Sequence, residues 1–276
     1  RPPRSTLSPS SAASDVYKRQ LLLGWFTSSF YSLPYVSLSQ IVALLAALYI
    51  VPVFYVAKTG LFMDDWAYST VDMKAFEKRA FSTTYLKDLF SKSLKGTFSF
   101  LASPKGLGLF LLSLLIFGFA AWYAYPVGID AQRALNIKLK TPTISISLYD
   151  ISEAFSIFFN NWKIASTTSF SGIIPFVGIV PTLIINGMIL GFFCGVYYER
   201  PLLFWAGILP HGVIELFSVF VAAASGFSLS LSAIRRKGFE ENVRLVCYTS
   251  IALIPFFFIA ALIEIYVTPI IMWLVG

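Results

Sequence analysis

Apolar residues are grouped along the chain in long blocks separated by shorter polar segments. A helix needs about 20 apolar residues to cross the hydrocarbon layer of a membrane. Blocks of this kind lie near 38–57, 106–126, 164–180, 182–198, 208–232 and 245–270. The pattern predicts an all-α, polytopic membrane protein with about six spans. A shorter block, from Leu21 to Leu33, is either the end of a further helix or an interfacial helix.

Two prolines, Pro175 and Pro181, leave the stretch 164–198 open to two interpretations, a tight helical hairpin or one broken, tilted helix. The loops predicted at 58–105 and 233–244 are both rich in Lys and Arg, which places both in the cytoplasm. An even number of crossings must then separate them. The hairpin satisfies this condition, so we favour it.

The predicted loops have patterns of their own. In the cytoplasmic loop 58–105, YLKDLFSKSLKGTFSFL repeats apolar residues with a helical period and carries Asp88, Lys92 and Lys95 on the opposite face. This basic amphipathic helix is expected either on the membrane surface or solvated against the protein's own inner face. The segment 127–163 is then external, and its TPTISIS run is expected to form a short extended segment.

Composition agrees with a membrane protein, because 57% of the 276 residues are hydrophobic and 13% are charged. The first twenty residues differ, and SSAASDVYKRQ matches one reading frame of a transposase sequencing adapter. We therefore interpret residues 1–20 as a read-assembly artefact of the kind met in metagenomic sequence. Without them, the chain has 17 Lys and Arg and 13 Asp and Glu, a balance that does not indicate nucleic-acid binding. The two cysteines lie in apolar stretches and do not indicate a disulfide framework.

Three motifs in the second half carry polar or small residues in apolar surroundings. FFNNWKIA contains Asn160 and Asn161, placed just ahead of a predicted span, where amides cap a helix or bond to a neighbouring helix. NGMILGFFCG contains Asn186 and a stripe of glycines four residues apart, Gly187, Gly191 and Gly195. The stripe predicts a close helix pair, either within one subunit or between the subunits of a homo-oligomer.

The third motif, ILPHGVIELFSVFVAAASG, combines Pro210, His211, Gly212, Glu215 and Gly226. Proline suits the first turn of a helix, so His211 and Glu215 are expected near its start, one turn apart on one face. Small residues continue that face as far as Gly226, which predicts that the polar pair points into the bundle. The pair either pins helices together or handles a proton or ligand.

The inventory of side chains limits the chemistry. His211 is the single histidine of the sequence, which excludes multi-histidine metal sites, and a zinc site would need Glu215, Glu264 and distant cysteines. Ser218 lies one turn from Glu215, which would permit a Ser–His–acid arrangement, yet no nucleophile elbow surrounds it. No phosphate-binding loop is found in the sequence either. We therefore expect no catalytic residues, no metal and no cofactor, and an enzyme is the weaker hypothesis.

In these three motifs the sequence resembles the stage II sporulation protein M family. The family pattern reads here as Asn160–Asn161, Asn186–Gly187 with Leu190–Gly191, and Pro210–His211–Gly212 with Glu215 and Gly226, over about residues 106–276. The resemblance implies a helical membrane protein with a five-span core. It also implies a function like that of the namesake, which in spore formers is similar to a scaffold for septal peptidoglycan hydrolases without hydrolase activity of its own.

These observations predict an N-terminal membrane segment at 21–57, a cytoplasmic basic region at 58–105 and a membrane domain at 106–276. The function we favour is a non-enzymatic scaffold in the cell membrane that recruits envelope or membrane-remodelling proteins and contacts lipid, without nucleic acid. The alternative is a transporter or channel in which His211, Glu215 and Glu264 line a polar path.

Overall fold

The computed structural model describes residues 83–135 and 150–275, which form eight α-helices and one 3-10 turn. The helices are α1 Thr83–Ala102, α2 Pro104–Leu135, α3 Asp150–Phe170, α4 Ile179–Val196, α5 Pro201–Arg235, α6 Phe239–Ala252, α7 Ile254–Tyr266 and α8 Thr268–Val275. The 3-10 turn, Ser171–Ile173, follows α3 directly. Among these residues no strand is found, which agrees with the predicted all-α class.

Helix α5 is the centre of the bundle and packs against α2, α3, α4, α6, α7 and α8. Its apolar side chains enter the core on several sides. Phe220 makes edge-to-face contacts with Phe110 and Phe117 of α2, while Val221 and Ala222 pack beside Phe257 of α7. Helix α2 is peripheral by contrast, because a continuous side of it is exposed. Exposed apolar side chains of this kind face lipid in a membrane protein.

The helices pair with partners that are not their neighbours along the chain. Helix α4 runs parallel to α2, and α3 runs parallel to α5 and antiparallel to the α6–α7 segment. Helices α3 and α4 are joined by a turn but pack mainly against different helices, so they do not form the tight hairpin predicted for 164–198. The chain does turn back there, between Ser171 and Gly178, as the hairpin interpretation requires.

By length and composition, four candidate membrane spans lie in the described residues. They are Pro104–Leu135, Ile179–Val196, Pro201–Arg235 and Phe239–Tyr266. The predicted total of about six spans is therefore not confirmed. The apolar block at 164–180 is not itself a helix, because α3 begins at Asp150 and ends at Phe170. Helix α3 is too polar to be counted among the four.

The predicted loops are also shorter than expected. Helix α2 continues through Pro126 to Leu135 and α3 starts at Asp150, so both ends of the predicted external segment 127–163 are helical. The amphipathic stretch is helical in the structure, as α1, which packs on α6 through small and polar residues. Residues 1–82 and 136–149 lie outside the described part of the chain, and with them the proposed adapter, the 21–57 segment and TPTISIS.

Candidate functional site

The polar residues of the third motif lie in a cluster where α3, α5, α7 and α8 meet. A ring nitrogen of His211 and carboxylate oxygens of Glu215 and Glu264 lie within 4.8 Å of one another. Asn161 of α3 and Thr268 of α8 each contact one member of this group. We call these five residues the polar cluster. It joins segments that are more than fifty residues apart in the sequence.

Glu215 is held by an amide. The Nδ2 of Asn161 donates a hydrogen bond of 2.6 Å to Glu215 Oε1. This bond requires α3 to run beside α5 with Asn161 facing inward, and the parallel packing of the two helices provides that arrangement. A carboxylate within an apolar bundle is stabilised by such a donor, because burial without a partner is costly.

His211 is held by a hydroxyl. Its ring is 7% exposed, and its Nδ1 lies 3.1 Å from Thr268 Oγ1. The Thr268 hydroxyl donates its single proton to the carbonyl oxygen of Ile263, at 3.2 Å. With that proton committed, Oγ1 can accept a proton from Nδ1 in the tautomer that carries it there. This assignment leaves the lone pair of Nε2 available to a ligand or a proton.

Pro210 does not lie in the first turn of its helix, contrary to the sequence prediction. Helix α5 begins at Pro201, so Pro210 is inside the helix. Its missing N–H leaves the carbonyl of Ala206 without the usual helical partner. His211 and Glu215 are therefore in the body of the helix, too far from its start for the helix dipole to stabilise the carboxylate.

The cluster lies far from the basic end of α5. The helical segment from Glu215 to Arg235 is about 30 Å long at a rise of about 1.5 Å per residue. This length equals the thickness of the hydrocarbon layer, also about 30 Å. If the basic turn at 235–237 lies at one boundary of the membrane, the cluster lies near the opposite boundary.

The glycine stripe of the second motif packs inside the chain, against α2. Gly187, Gly191 and Gly195 are buried, and a Cβ on any of them would overlap a backbone carbonyl oxygen of α2. At Gly191 that oxygen belongs to Ala121. Only glycine permits this backbone approach. Of the two options left open by the sequence, the structure uses the stripe within the subunit.

Small residues also join α3 to α5 beyond the cluster. The hydroxyl of Ser169 donates to the Ala222 carbonyl at 2.8 Å and lies 3.1 Å from Ser225 Oγ, which donates to it. Gly226 is buried against the end of α3, where a Cβ on Gly172 would overlap the Gly226 carbonyl. The small face predicted from the sequence therefore packs against α3, and the cluster points into the bundle.

Asn160, Asn186 and Gly212 were also singled out in the sequence, and they lie outside the cluster too. Asn160 is exposed on α3, unlike its neighbour Asn161. Asn186 donates within its own helix to the carbonyl of Thr182, at 2.8 Å. Gly212 is buried beside Ile208 on α5. Asn160 and Asn161 therefore do not act as a pair, and neither caps a helix, because both lie inside α3.

Thr268 is the member of the cluster that the sequence analysis missed. It begins α8 directly after the break that ends α7, and it is buried. A threonine before a proline in an apolar stretch is a weak signal of a helix break, and nothing in the sequence connects it to His211. Glu264 was considered as a zinc ligand and as part of a polar path, and the structure does bring it to His211 and Glu215.

The arrangement offers a nitrogen lone pair and two carboxylates to a cation or proton. Neither cysteine is among these groups. Cys247 packs in a separate apolar core with Phe170 and Leu229, and Cys194 lies on α4. The zinc ligand set considered from the sequence, with distant cysteines, is therefore not assembled among the described residues. Within 83–135 and 150–275, His211, Glu215 and Glu264 form the group that could hold a metal ion.

Long apolar helices around a central helix, with an interior cluster of ionisable residues, define a helical membrane protein of several spans. The family model for stage II sporulation protein M matches residues 94–269. The match covers more than half of the chain, and the chain therefore belongs to the stage II sporulation protein M family. It begins inside α1, ahead of the boundary expected at residue 106. Searches of curated proteins and of solved structures each found no match.

Proposed function

We propose that this protein is a non-enzymatic membrane scaffold that recruits envelope or membrane-remodelling proteins. The observation that carries the proposal is the way α1 packs on the bundle. Its small and polar side packs against α6, where Ser93 and Thr97 are buried and the Thr97 and Thr249 hydroxyls lie 3.5 Å apart. This contact leaves Leu86 and Phe90 exposed on the outer side of α1, while Phe98 is 38% exposed and also contacts the ring of Phe256 on α7.

The outer side of α1 combines apolar and charged groups. Leu86, Phe90 and Phe98 are exposed, and Lys92 forms an exposed ion pair with Asp88 at 3.1 Å. A helix that is fixed to a rigid core and presents exposed aromatic side chains is suited to hold a partner in a defined position. We propose that this surface contacts a partner protein, with anionic lipid as a second contact for its lysines.

The membrane topology is part of the proposal. Helix α3 runs parallel to the long span α5 over the stretch from Asn161 to Gly172, which supports a fifth crossing by α3. Alternating crossings by α2, α3, α4 and α5 would put α1 and the 233–244 loop on one side, proposed as the cytoplasm. The segment between α2 and α3 would then be external.

Site-specific photocrosslinking in the native membrane tests the scaffold. A photoreactive amino acid at Phe98 of α1 is expected to give discrete protein adducts that mass spectrometry identifies as membrane or envelope proteins. The matched control is Leu115 of α2, which is 67% exposed and lies on the proposed lipid-facing side. Equal protein adducts at both positions, or none at Phe98, would contradict the assignment of α1 as the docking surface.

Self-association also stays a proposal. Because the glycine stripe is already buried against α2, a homo-oligomer would need another face, such as the exposed side of α2. Disulfide trapping of paired cysteines introduced on that side would detect it.

The transport hypothesis is separated from the scaffold by a flux measurement. The chain in proteoliposomes is expected to show no proton or solute flux above that of empty vesicles. Flux that Glu215→Gln abolishes would replace the scaffold with a transporter.

A further inference from the structure

We propose that His211, Glu215 and Glu264 form a binding site for a divalent transition-metal ion. This inference goes beyond the scaffold function and does not depend on it. The three ligand atoms come from two helices, α5 and α7, and lie within 4.8 Å of one another. Around an ion bound at about 2.1 Å, ligand atoms are roughly 3 to 3.5 Å apart. Binding an ion would therefore require the ligand atoms to move closer together.

The burial and hydrogen bonding of His211 suit it to bind a metal ion. Its ring is 7% exposed, and Nδ1 is bonded to Thr268, whose own proton is committed to the Ile263 carbonyl. In the tautomer with its proton on Nδ1, Nε2 carries the free lone pair. Metal-binding histidines characteristically donate the other ring N–H to an oxygen in this way, which fixes the tautomer and the ring orientation.

The hydrogen bonding of Glu215 also suits it to bind a metal ion. The amide of Asn161 donates to Glu215 Oε1 at 2.6 Å, which fixes one oxygen and leaves the other able to bind. Asn161 and Thr268 thus support the ligands from α3 and α8, two helices that supply no ligand themselves. A bound ion would connect all four helices.

The negative charges of the cluster also favour binding of a cation. Glu264 acts on Glu215 as a like charge, and Glu153 acts on Glu264 in the same way. Two carboxylates in an apolar bundle repel each other unless a proton or a cation lies between them. Among the described residues, no Lys or Arg is paired with either carboxylate.

The donor set indicates the class of ion. One imidazole nitrogen and two carboxylate oxygens suit Zn²⁺, Mn²⁺ or Fe²⁺ better than the all-oxygen environment that Ca²⁺ and Mg²⁺ prefer. Three protein ligands leave at least one coordination position open for water or another group. The site differs from the multi-histidine sites that the single histidine excludes.

The test uses the full chain purified in detergent, stripped with a chelator and then given Zn²⁺ or Mn²⁺. We expect about one ion per chain to remain after desalting, by elemental analysis, and the unfolding temperature to rise with ion concentration. If the wild-type chain retains no ion and its unfolding temperature responds to neither ion, the proposal is wrong.

The decisive variant is Glu264→Gln, which removes one ligand charge and keeps the side-chain shape. It is expected to lose the bound ion and the temperature response, while the metal-free chain is at least as stable as wild type because the repulsion is removed. The control, Glu240→Gln, removes an exposed carboxylate of α6 and should retain both. Binding that survives in Glu264→Gln would show an adventitious site elsewhere and overturn the assignment.

A second variant keeps the test decisive if Glu264→Gln does not fold. Asn161→Ala leaves all three ligands in place and is expected to weaken ion binding by about 10- to 100-fold, as loss of an orienting partner does. The exposed neighbour variant Asn160→Ala should bind as wild type does. Equal affinities for the two variants would contradict the proposed role of Asn161.

Discussion

Helices α2 and α4 touch backbone to backbone, whereas α3, α5, α7 and α8 meet around polar side chains. The first contact depends on the absence of side chains at Gly187, Gly191 and Gly195. The second depends on the presence of particular ones, with Asn161 bonded to Glu215 and His211 to Thr268. Lipid tails are as apolar as leucine, so neither contact can rely on the hydrophobic effect as a water-soluble core does.

The difference separates two ways of specifying a helix pair inside a membrane. A glycine contact is steric, because it gains dispersion energy over a long seam and fails when any side chain intrudes. A polar contact is chemical, because its members must be satisfied together and removal of one leaves another without a partner. The two contacts should therefore respond to different substitutions, and the following predictions are ordered by expected effect.

The largest effect is expected at the glycine seam. Gly191→Ala places a Cβ against the Ala121 carbonyl, where no rotamer can relieve the overlap, so the helices must separate. We expect a loss of about 1 to 3 kcal/mol or more in the free energy of unfolding, as for overpacked cores. Equilibrium unfolding in mixed detergent measures it.

Gly118 provides the matched control for that substitution. It lies on α2 with nothing within 4 Å of an added Cβ. Gly118→Ala is expected to be neutral or to stabilise by up to about 1 kcal/mol, through helix propensity alone. Equal losses at Gly118 and Gly191 would show that the seam is not a steric contact.

The next effect is expected in the polar cluster. Asn161→Ala removes the donor to Glu215 and should cost about 1 to 3 kcal/mol in metal-free buffer, because a half-buried carboxylate loses its partner. The same unfolding assay measures it. Asn160→Ala, on the exposed side of the same helix turn, should stay within about 0.5 kcal/mol of wild type. A larger loss for Asn160 would reverse the assignment of the two amides.

A smaller effect is expected where the Ser169 hydroxyl of α3 bonds to the Ala222 carbonyl and to the Ser225 hydroxyl of α5. Ser169→Ala removes the bond to the Ala222 carbonyl and should cost about 0.6 kcal/mol, the average for interhelical hydrogen bonds in membranes. The exposed α3 substitution Ser156→Ala is the reference. A loss as large as that of Asn161→Ala would indicate that this crossing, not the cluster, holds α3 in place.

The smallest effect is expected on α1. Lys92→Ala breaks the exposed ion pair with Asp88, and pairs of this kind contribute about 0.5 kcal/mol or less. Unfolding measured at low and high salt should show this small difference disappear as salt screens the pair. A loss above 1 kcal/mol would show that Lys92 has a structural role in the bundle.

Much of the helical architecture was predictable from the sequence, since apolar blocks report lipid contact directly. The block at 106–126 is α2, although the helix continues past Pro126 because a proline is tolerated within a membrane helix. The family assignment was also predictable, and the match over residues 94–269 confirms it. It rested on the order and spacing of three motifs rather than on hydropathy.

Helix α3 was misplaced for a physical reason. Its Asn161, Ser169 and neighbouring polar residues lower the mean hydropathy, while their hydrogen bonds to α5 remove the cost that hydropathy assigns them. An average hydropathy along the chain counts each polar residue but takes no account of its hydrogen-bond partner. The sequence does not reveal Thr268 for the same reason, because its role depends on a contact with His211 that is made only in the folded bundle.

The alternation of helix partners has a consequence for synthesis. Because α2 pairs with α4 and α3 with α5, the two parallel pairs interleave, and neither can close until the intervening segment has emerged from the ribosome. If α3 crosses the membrane as proposed, it reaches the bilayer before α5 can satisfy its polar side chains. An insertion machinery or chaperone would then have to shelter α3 for the time needed to translate more than fifty residues, so biogenesis, and not only the finished fold, would constrain how polar this helix can be.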